Sequence, residues 1–257
     1  MKIVILAGGR GTRMSEVTAV IPKPMVEVAG KPLLWYVMNI YSLQGFNDFI
    51  LAVGYKGEKI KEYFANLALL SSDFQTDLTT GKTTILKDKK PDWKVTIVDT
   101  RPATGTGGSI KKLAEYIDGD EFMLTYGDGV SDVNLHELLK FHRSHGKLAT
   151  ITAVTMPRFG IVEVESDGRV SSLQEKRLEH SPLINGGFMV LSKKVLDYID
   201  GPETALETTP MQRLCEKGEL YAYVHRGFWK PVDNLRDRAD LETMLLDKDS
   251  RLRSWLI

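Results

Sequence analysis

Gly8, Gly9 and Gly11 stand directly behind the apolar run Ile3-Val4-Ile5, with Arg13 two residues on and Lys23 ten residues after that. Glycines clustered so tightly do not serve core packing. They let the backbone turn sharply and let a ligand come close. Successive N–H groups in such a loop form a concave cradle for phosphate oxygens. Arg13 adds a rigid fork of donors, and Lys23, in Pro22-Lys23-Pro24-Met25, an ammonium between two prolines of fixed φ. The loop reads Leu6-Ala7-Gly8-Gly9-Arg10-Gly11-Thr12-Arg13. That is neither the G-x-G-x-x-G of dinucleotide sites nor the G-x-x-x-x-G-K-[ST] of Walker loops. Strand, cradle and two cations together read as a site for a nucleoside triphosphate. A plain glycine turn between strand and helix is the alternative, and it leaves the two cations unexplained.

A second reactive pattern is Asp128 in Tyr126-Gly127-Asp128-Gly129, behind the apolar run Glu121–Tyr126. A carboxylate flanked by glycines at the carboxyl end of a strand suits a divalent cation; an aspartate capping its own turn is the alternative. Asp233, in Trp229-Lys230-Pro231-Val232-Asp233, reads on its own as the N-cap of the last helix. Asp132 reads as a loop or cap residue before the helix at Leu135. The segment Thr104-Gly105-Thr106-Gly107-Gly108-Ser109 opens a helix whose N-terminus is electropositive. His136, His142, His145, His180 and His225 show no metal-ligand spacing. The lone Cys215 and the absence of G-x-S-x-G argue against acyl chemistry on a nucleophile. Cys215, at helical spacing from Met211, is expected to pack as a small hydrophobe.

Eight pieces in register, LAGGRGTR at 6–13, PKPM at 22–25, GYKG at 54–57, TGG at 106–108, YGDGV at 126–130, QEK at 174–176, NGGF at 185–188 and GFWKPVD at 227–233, span nearly the whole chain. In these the sequence resembles the sugar-1-phosphate nucleotidyltransferases, and YGDGV with the last piece resembles the branch that uses cytidine nucleotides. The resemblance implies that CMP passes from CTP to glucose 1-phosphate, giving CDP-glucose and pyrophosphate by direct displacement. The product would feed deoxysugar synthesis for bacterial surface polysaccharide. It implies Mg²⁺ on Asp128 and Asp233, and catalytic roles for Lys23, Arg13 and Asp128. Nucleotide contacts fall to Leu6, Ala7, Gly8, Gly9, Gly11, Thr12, Arg13, Lys23, Thr104, Thr106, Gly107 and Ser109. Sugar-phosphate contacts fall to Tyr126, Gly127, Glu175, Lys176, Asn185 and Gly186. The chain departs from the family at Arg177, where a proline is usual, and at Ser109, where cytidylyl members carry arginine. Ser109 can act as a helix cap, Lys176 as a solvated surface residue, and the glycines after Asn185 as a β-bulge. The same reaction with UTP, dTTP or GTP or another sugar phosphate, and a silent nucleotide-sugar sensor, are the competing readings.

These residues need a scaffold, and the pattern supplies one. Apolar runs of strand length alternate with amphipathic helical stretches, which argues βαβ units and a mostly parallel sheet flanked by helices, a Rossmann-like α/β fold with small β elaborations. Strands are expected at Lys2–Ala7, Asp48–Val53, Lys94–Asp99, Glu121–Tyr126, Leu148–Thr155, Gly160–Glu165, Val170–Gln174, Asn185–Leu191 and Leu220–His225. Helices are expected at Lys31–Gln44, Glu58–Leu69, Gly108–Ile117, Leu135–His145, Lys193–Ile199, Thr209–Lys217 and Leu235–Leu246. The polar stretch 70–93 reads as a hairpin, Thr76–Leu86, serving in the family as an arm between subunits, or as a mobile surface insertion. One domain of 257 residues is expected, with a nucleotide-binding half at 1–147 and a sugar-phosphate half at 148–257. Lys plus Arg equals Asp plus Glu at 34 each, so no global field draws the chain to nucleic acid or an anionic membrane. No apolar run reaches the ~18 residues of a membrane span. No signal-peptide pattern opens the sequence, and the expected setting is the cytoplasm, with a homo-oligomer, such as the hexamer the family resemblance suggests, as the assembled form.

Overall fold

The central sheet is built on the most apolar runs of the chain. In the computed structural model, which describes residues 1–9, 11–101, 105–156, 161–165, 167–174 and 182–252, four strands lie parallel: Lys94–Asp99, Asp48–Val53, Ile3–Ala7 and Glu121–Tyr126. Met189–Ser192 joins Glu121–Tyr126 antiparallel, and Ala149–Thr155 follows it. Leu220–Val224 lies parallel on Ala149–Thr155. The architecture is the expected mixed, mostly parallel sheet.

Continuous apolar strands are what a sheet covered on both faces requires. Alternate residues of the first strand serve opposite cores. Ile3 and Ile5 pack with Leu33, Val37 and Tyr41 of the helix Leu33–Ser42 on one face. Val4 packs with Ile110, Leu113 and Val195 on the other. The period of two along a strand produces this division. Ile3–Ala7 pairs with Asp48–Val53 on one side and with Glu121–Tyr126 on the other. The chain therefore winds outward one way, then crosses back, and a crevice opens at the carboxyl ends where the order reverses.

Several elements differ from expectation. The helix over Lys31–Gln44 starts at Leu33, because Lys31–Pro32 is a short strand paired with Glu27–Val28. The helix expected at Gly108–Ile117 begins earlier, at Thr106, runs to Lys112 and yields to a tighter turn at Ala114–Tyr116. The single strand expected at Asn185–Leu191 is two, Leu183–Asn185 and Met189–Ser192, broken where Gly187 and Phe188 take φ of +76° and +45°. Cys215 is exposed rather than packed, since Met211 and Leu214 take the inner face of its helix. The 70–93 stretch does form a hairpin, Asp73–Asp77 with Lys82–Lys87. The Asp77 carboxylate accepts from the Thr79 N–H and the Thr80 hydroxyl, both at 2.8 Å, which closes the turn. Among the described residues no helix is long and apolar enough to cross a membrane.

The helix Leu135–His145 is capped by Asn134, which accepts from the His136 and Glu137 N–H groups. It buries His142, whose Nδ1 lies 2.9 Å from the Thr150 hydroxyl, and His145 Nε2 reaches the same oxygen at 2.8 Å. Burial, and then the neighbouring His145, push His142 from 6.5 down to about 4. Between those values the unfolded chain takes a proton that the folded protein refuses, so stability is lost as pH falls through that window. Thermal melts should show a loss on the order of 1–2 kcal/mol by about pH 5, and His142→Asn should flatten that dependence. An unchanged slope in the variant would place the acid sensitivity elsewhere.

Candidate active site

Lys23 lies in a single tight turn, Lys23–Met25, held by Pro22 and Pro24, with only 8% of its surface exposed. Its Nζ donates to Asp128 Oδ2 at 2.6 Å and to Asp233 Oδ1 at 2.9 Å. A two-stranded ribbon brings these carboxylates together: Gly129–Ser131 pairs antiparallel with Trp229–Pro231, and the Val232 N–H donates to the Asp128 carbonyl at 2.9 Å. Asp233 is not the cap of the last helix. Asn234 takes that role, accepting from the Asp237 N–H at 2.9 Å, while Asp237 Oδ2 accepts from the Asp233 N–H. Asp132 lies in the loop before the helix at Leu135, one of its two expected readings, and its carboxylate is 2.8 Å from His225 Nε2. Two of the three Lys23 donors thus go to carboxylates, and the side chain lines the cavity beside them.

Beside this cluster lies a cavity of about 330 Å³ at the carboxyl ends of the parallel strands. Gly8, Gly9, Gly11 and Thr12 form one wall, with Leu6 below them. Thr106 and Ser109 stand at the start of a helix, and Tyr126, Gly127, Asp128, Lys23 and Asp233 complete the floor. Pro24, Ala52, Gly54 and Thr100 also line it and were not expected. The ends of Asp48–Val53 and Lys94–Asp99 were the signal that could have found the last three, since open α/β sheets bind at such ends.

The glycine loop is fixed by neighbours. Gly8 and Gly54 approach so closely that a Cβ on Gly8 would meet the Gly54 nitrogen at 3.1 Å, and the Tyr55 N–H donates to the Gly8 carbonyl. Gly11 has φ of +59°, and a Cβ there would sit 2.9 Å from the side chains of Lys23 and Thr18. The Thr18 hydroxyl bonds the Gly11 carbonyl at 3.0 Å, the Tyr55 hydroxyl bonds the Thr18 carbonyl at 3.1 Å, and the Lys56 ammonium reaches the Ala19 carbonyl. The Gly-Tyr-Lys-Gly piece at 54–57 is thus the brace of the cradle.

Four expected contact residues do not line the cavity. Ala7 is buried in the sheet. Gly107 packs under the segment 199–206, where a Cβ would meet the Thr204 carbonyl at 2.9 Å. Gly186 gives its carbonyl to Trp229 Nε1 at 2.8 Å, and Asn185 accepts from the Gly187 N–H at 3.0 Å. Thr104, Glu175, Lys176 and the side chain of Arg13 lie outside the described residues. Burial, followed by the charge and hydrogen bond of Glu207, holds the Tyr126 phenol far above its ordinary value, so it stays protonated.

Among the described residues no three acidic, histidine or cysteine side chains group as a metal site. The Asp128–Asp233 pair still fits Mg²⁺, which commonly takes one or two carboxylates and completes its shell from phosphate and water. Asp128 keeps 35% of its side chain exposed beside the cradle.

The family model described as nucleotidyl transferase matches residues 2–247. A glucose-1-phosphate cytidylyltransferase of Salmonella typhi is 47% identical over 99% of this chain and 100% of its own. A probable glucose-1-phosphate cytidylyltransferase of Bacillus subtilis is 44% identical over 95% of this chain and 96% of its own. The crystal structure of HddC from Yersinia pseudotuberculosis superposes with a TM-score of 0.71 at 26% identity, covering 94% of this chain and 98% of that one.

The glycines separate two demands. A Cβ at Gly9 meets nothing within 4 Å, whereas Gly11 is constrained by φ and by both neighbours. Gly9→Ala should keep the melting temperature and lose triphosphate affinity in calorimetry. Gly11→Ala should lose affinity and also about 1–2 kcal/mol of stability. Retained affinity in Gly9→Ala would reduce the loop to a structural turn.

Proposed function

The chain belongs to the nucleotidyl transferase family, and from that premise we propose that it transfers CMP from CTP to glucose 1-phosphate, yielding CDP-glucose and pyrophosphate. The observation that carries the reading is Lys23 bridging Asp128 and Asp233 at the edge of the glycine-lined cavity. Both reactants are anions. A site that joins them must hold them in line and offset their repulsion.

The backbone N–H groups of the Gly8–Thr12 loop supply fixed donors for triphosphate oxygens. Lys23 keeps one N–H that neither carboxylate takes, available to a phosphate oxygen as charge develops. Mg²⁺ held by Asp128 and Asp233 would polarise the phosphates and neutralise part of their charge. No general base is needed, because a sugar phosphate is already ionised near neutral pH. The same reasoning removes the need for a covalent intermediate: the hexose phosphate oxygen attacks the α-phosphorus, and pyrophosphate leaves with the electron pair. Arg13, two residues beyond Gly11, is assigned to that leaving group, and Lys176 with Glu175 to the sugar phosphate. The setting proposed is the cytoplasm, with the product destined for surface polysaccharide. The exposed hairpin 73–87, carrying Leu78 and Leu86 open to solvent, supports a homo-oligomer.

The test is pyrophosphate release from purified protein with glucose 1-phosphate and each of CTP, UTP, GTP and dTTP. CTP should be fastest, EDTA should abolish the signal, and Mg²⁺ should restore it. A different triphosphate in first place would overturn the base assignment, and turnover unaffected by EDTA would overturn the metal. Lys23→Ala should lower kcat on the order of 10²-fold or more, and Asp128→Asn should lose activity together with its response to Mg²⁺.

A further inference from the structure

Glu207 ties together two walls of the cavity. Its Oε1 accepts from the Tyr126 hydroxyl and its Oε2 from the Thr106 hydroxyl, each at 2.6 Å. Lengths this short belong to charge-assisted hydrogen bonds. Thr106 Oγ1 in turn accepts from the Leu206 N–H at 2.8 Å, so the direction of its single proton is settled. Tyr126 also has one hydroxyl proton, and Glu207 takes it. Glu207 reaches this place because the segment before it docks on the helix start, where the Gly105 and Gly108 N–H groups donate to the Pro202 and Thr204 carbonyls.

We propose that Glu207 is a positioning residue for the sugar partner: by taking the only protons of Tyr126 and Thr106 it makes both hydroxyls acceptors toward the cavity. The Tyr126 wall then takes neutral hydroxyl donors of a hexose. Phosphate oxygens, being acceptors themselves, find no donor there and meet the Glu207 charge behind it. They are sent to the glycine loop and Lys23 instead. One carboxylate thus divides a single cavity into a hydroxyl-reading end and an anion-reading end. The inference rests on the nucleotidyl-transfer reading for the identity of the hexose, and only for that.

Glu207→Gln keeps the shape but offers one acceptor and one donor, so one of the two hydroxyls must turn its proton around. At saturating CTP the variant should raise KM for glucose 1-phosphate on the order of tenfold, with kcat and the CTP KM changed less than about threefold. Tyr126→Phe should do the same, and the double variant should be no worse than the worse single one, as expected of residues acting as a unit. Glu207→Asp, which keeps two acceptors, should fall between wild type and the Gln variant. A glucose 1-phosphate KM within about twofold of wild type in Glu207→Gln, or effects that multiply in the double variant, would overturn the proposal. A second arm needs no turnover. In the free protein labelled at tyrosine ¹³Cζ, the resonance lost in Tyr126→Phe should shift in Glu207→Gln, because the phenol has lost its charged acceptor. An unmoved resonance would overturn the role of Glu207 whatever the substrates are. A wild-type protein that makes no CDP-glucose, beside a resonance that does move, would instead sink only the substrate assignment.

Discussion

A nearly buried ammonium between two carboxylates is the constraint around which the rest of the site is arranged. Lys23 is separated in sequence from Asp128 by 105 residues and from Asp233 by 210. Charges removed from water must be paired well or they destabilise the fold, and losing one partner of a buried pair costs about 3–5 kcal/mol. Three distant stretches of chain therefore have to meet at one point. The prolines at 22 and 24 fix the approach of the lysine, and the ribbon of Gly129–Ser131 with Trp229–Pro231 fixes the two acids against each other. The cluster stands beside the glycine loop, at the edge of the same cavity. A single cavity thus sets two carboxylates and an ammonium side by side with the glycine loop.

The scaffold makes this possible by where the chain reverses. Loops at the carboxyl ends of Ile3–Ala7 and Glu121–Tyr126 part at the switch point, and the glycine loop and Asp128 face one crevice from its two sides. Rigid elements then hold each loop from behind. Tyr55 and Lys56 pin the segment that follows the cradle, and the 199–206 segment pins the start of the helix at Thr106. The cradle itself is short of side chains, so its geometry is imposed from outside.

Much of the scaffold was legible in the sequence because its strands are unbroken apolar runs bounded by turn residues. Asp48–Val53, Lys94–Asp99 and Glu121–Tyr126 fall where the pattern puts them, as do the helices Leu135–His145 and Leu235–Leu246. The helix starts were less legible, since Pro32 and Gly105 allow more than one beginning. Glycine-rich motifs announced a ligand site but not which glycines face it. Gly9 and Gly107 look alike in sequence, yet one opens to the cavity and the other lies under a packed segment. The partners of Lys23 and the bridge at Glu207 are tertiary facts. Nothing in the local pattern around Thr204–Thr208 distinguishes Glu207 from an ordinary surface acid.

The break at Gly186–Phe188 shows how core packing reaches the acids. Phe188 has φ of +45°, a conformation that costs a non-glycine residue on the order of 1 kcal/mol. Its ring is fully buried and stacks on Tyr41 at 5.7 Å between centroids, and burial of an aromatic that size more than offsets the strain. The kink turns the Gly186 carbonyl to Trp229, whose indole N–H bonds it at 2.8 Å. Trp229 begins the strand that pairs with Gly129–Ser131 and leads into Asp233. The break at Gly186–Phe188 thus anchors the ribbon, and the ribbon sets the separation of the two carboxylates that Lys23 bridges.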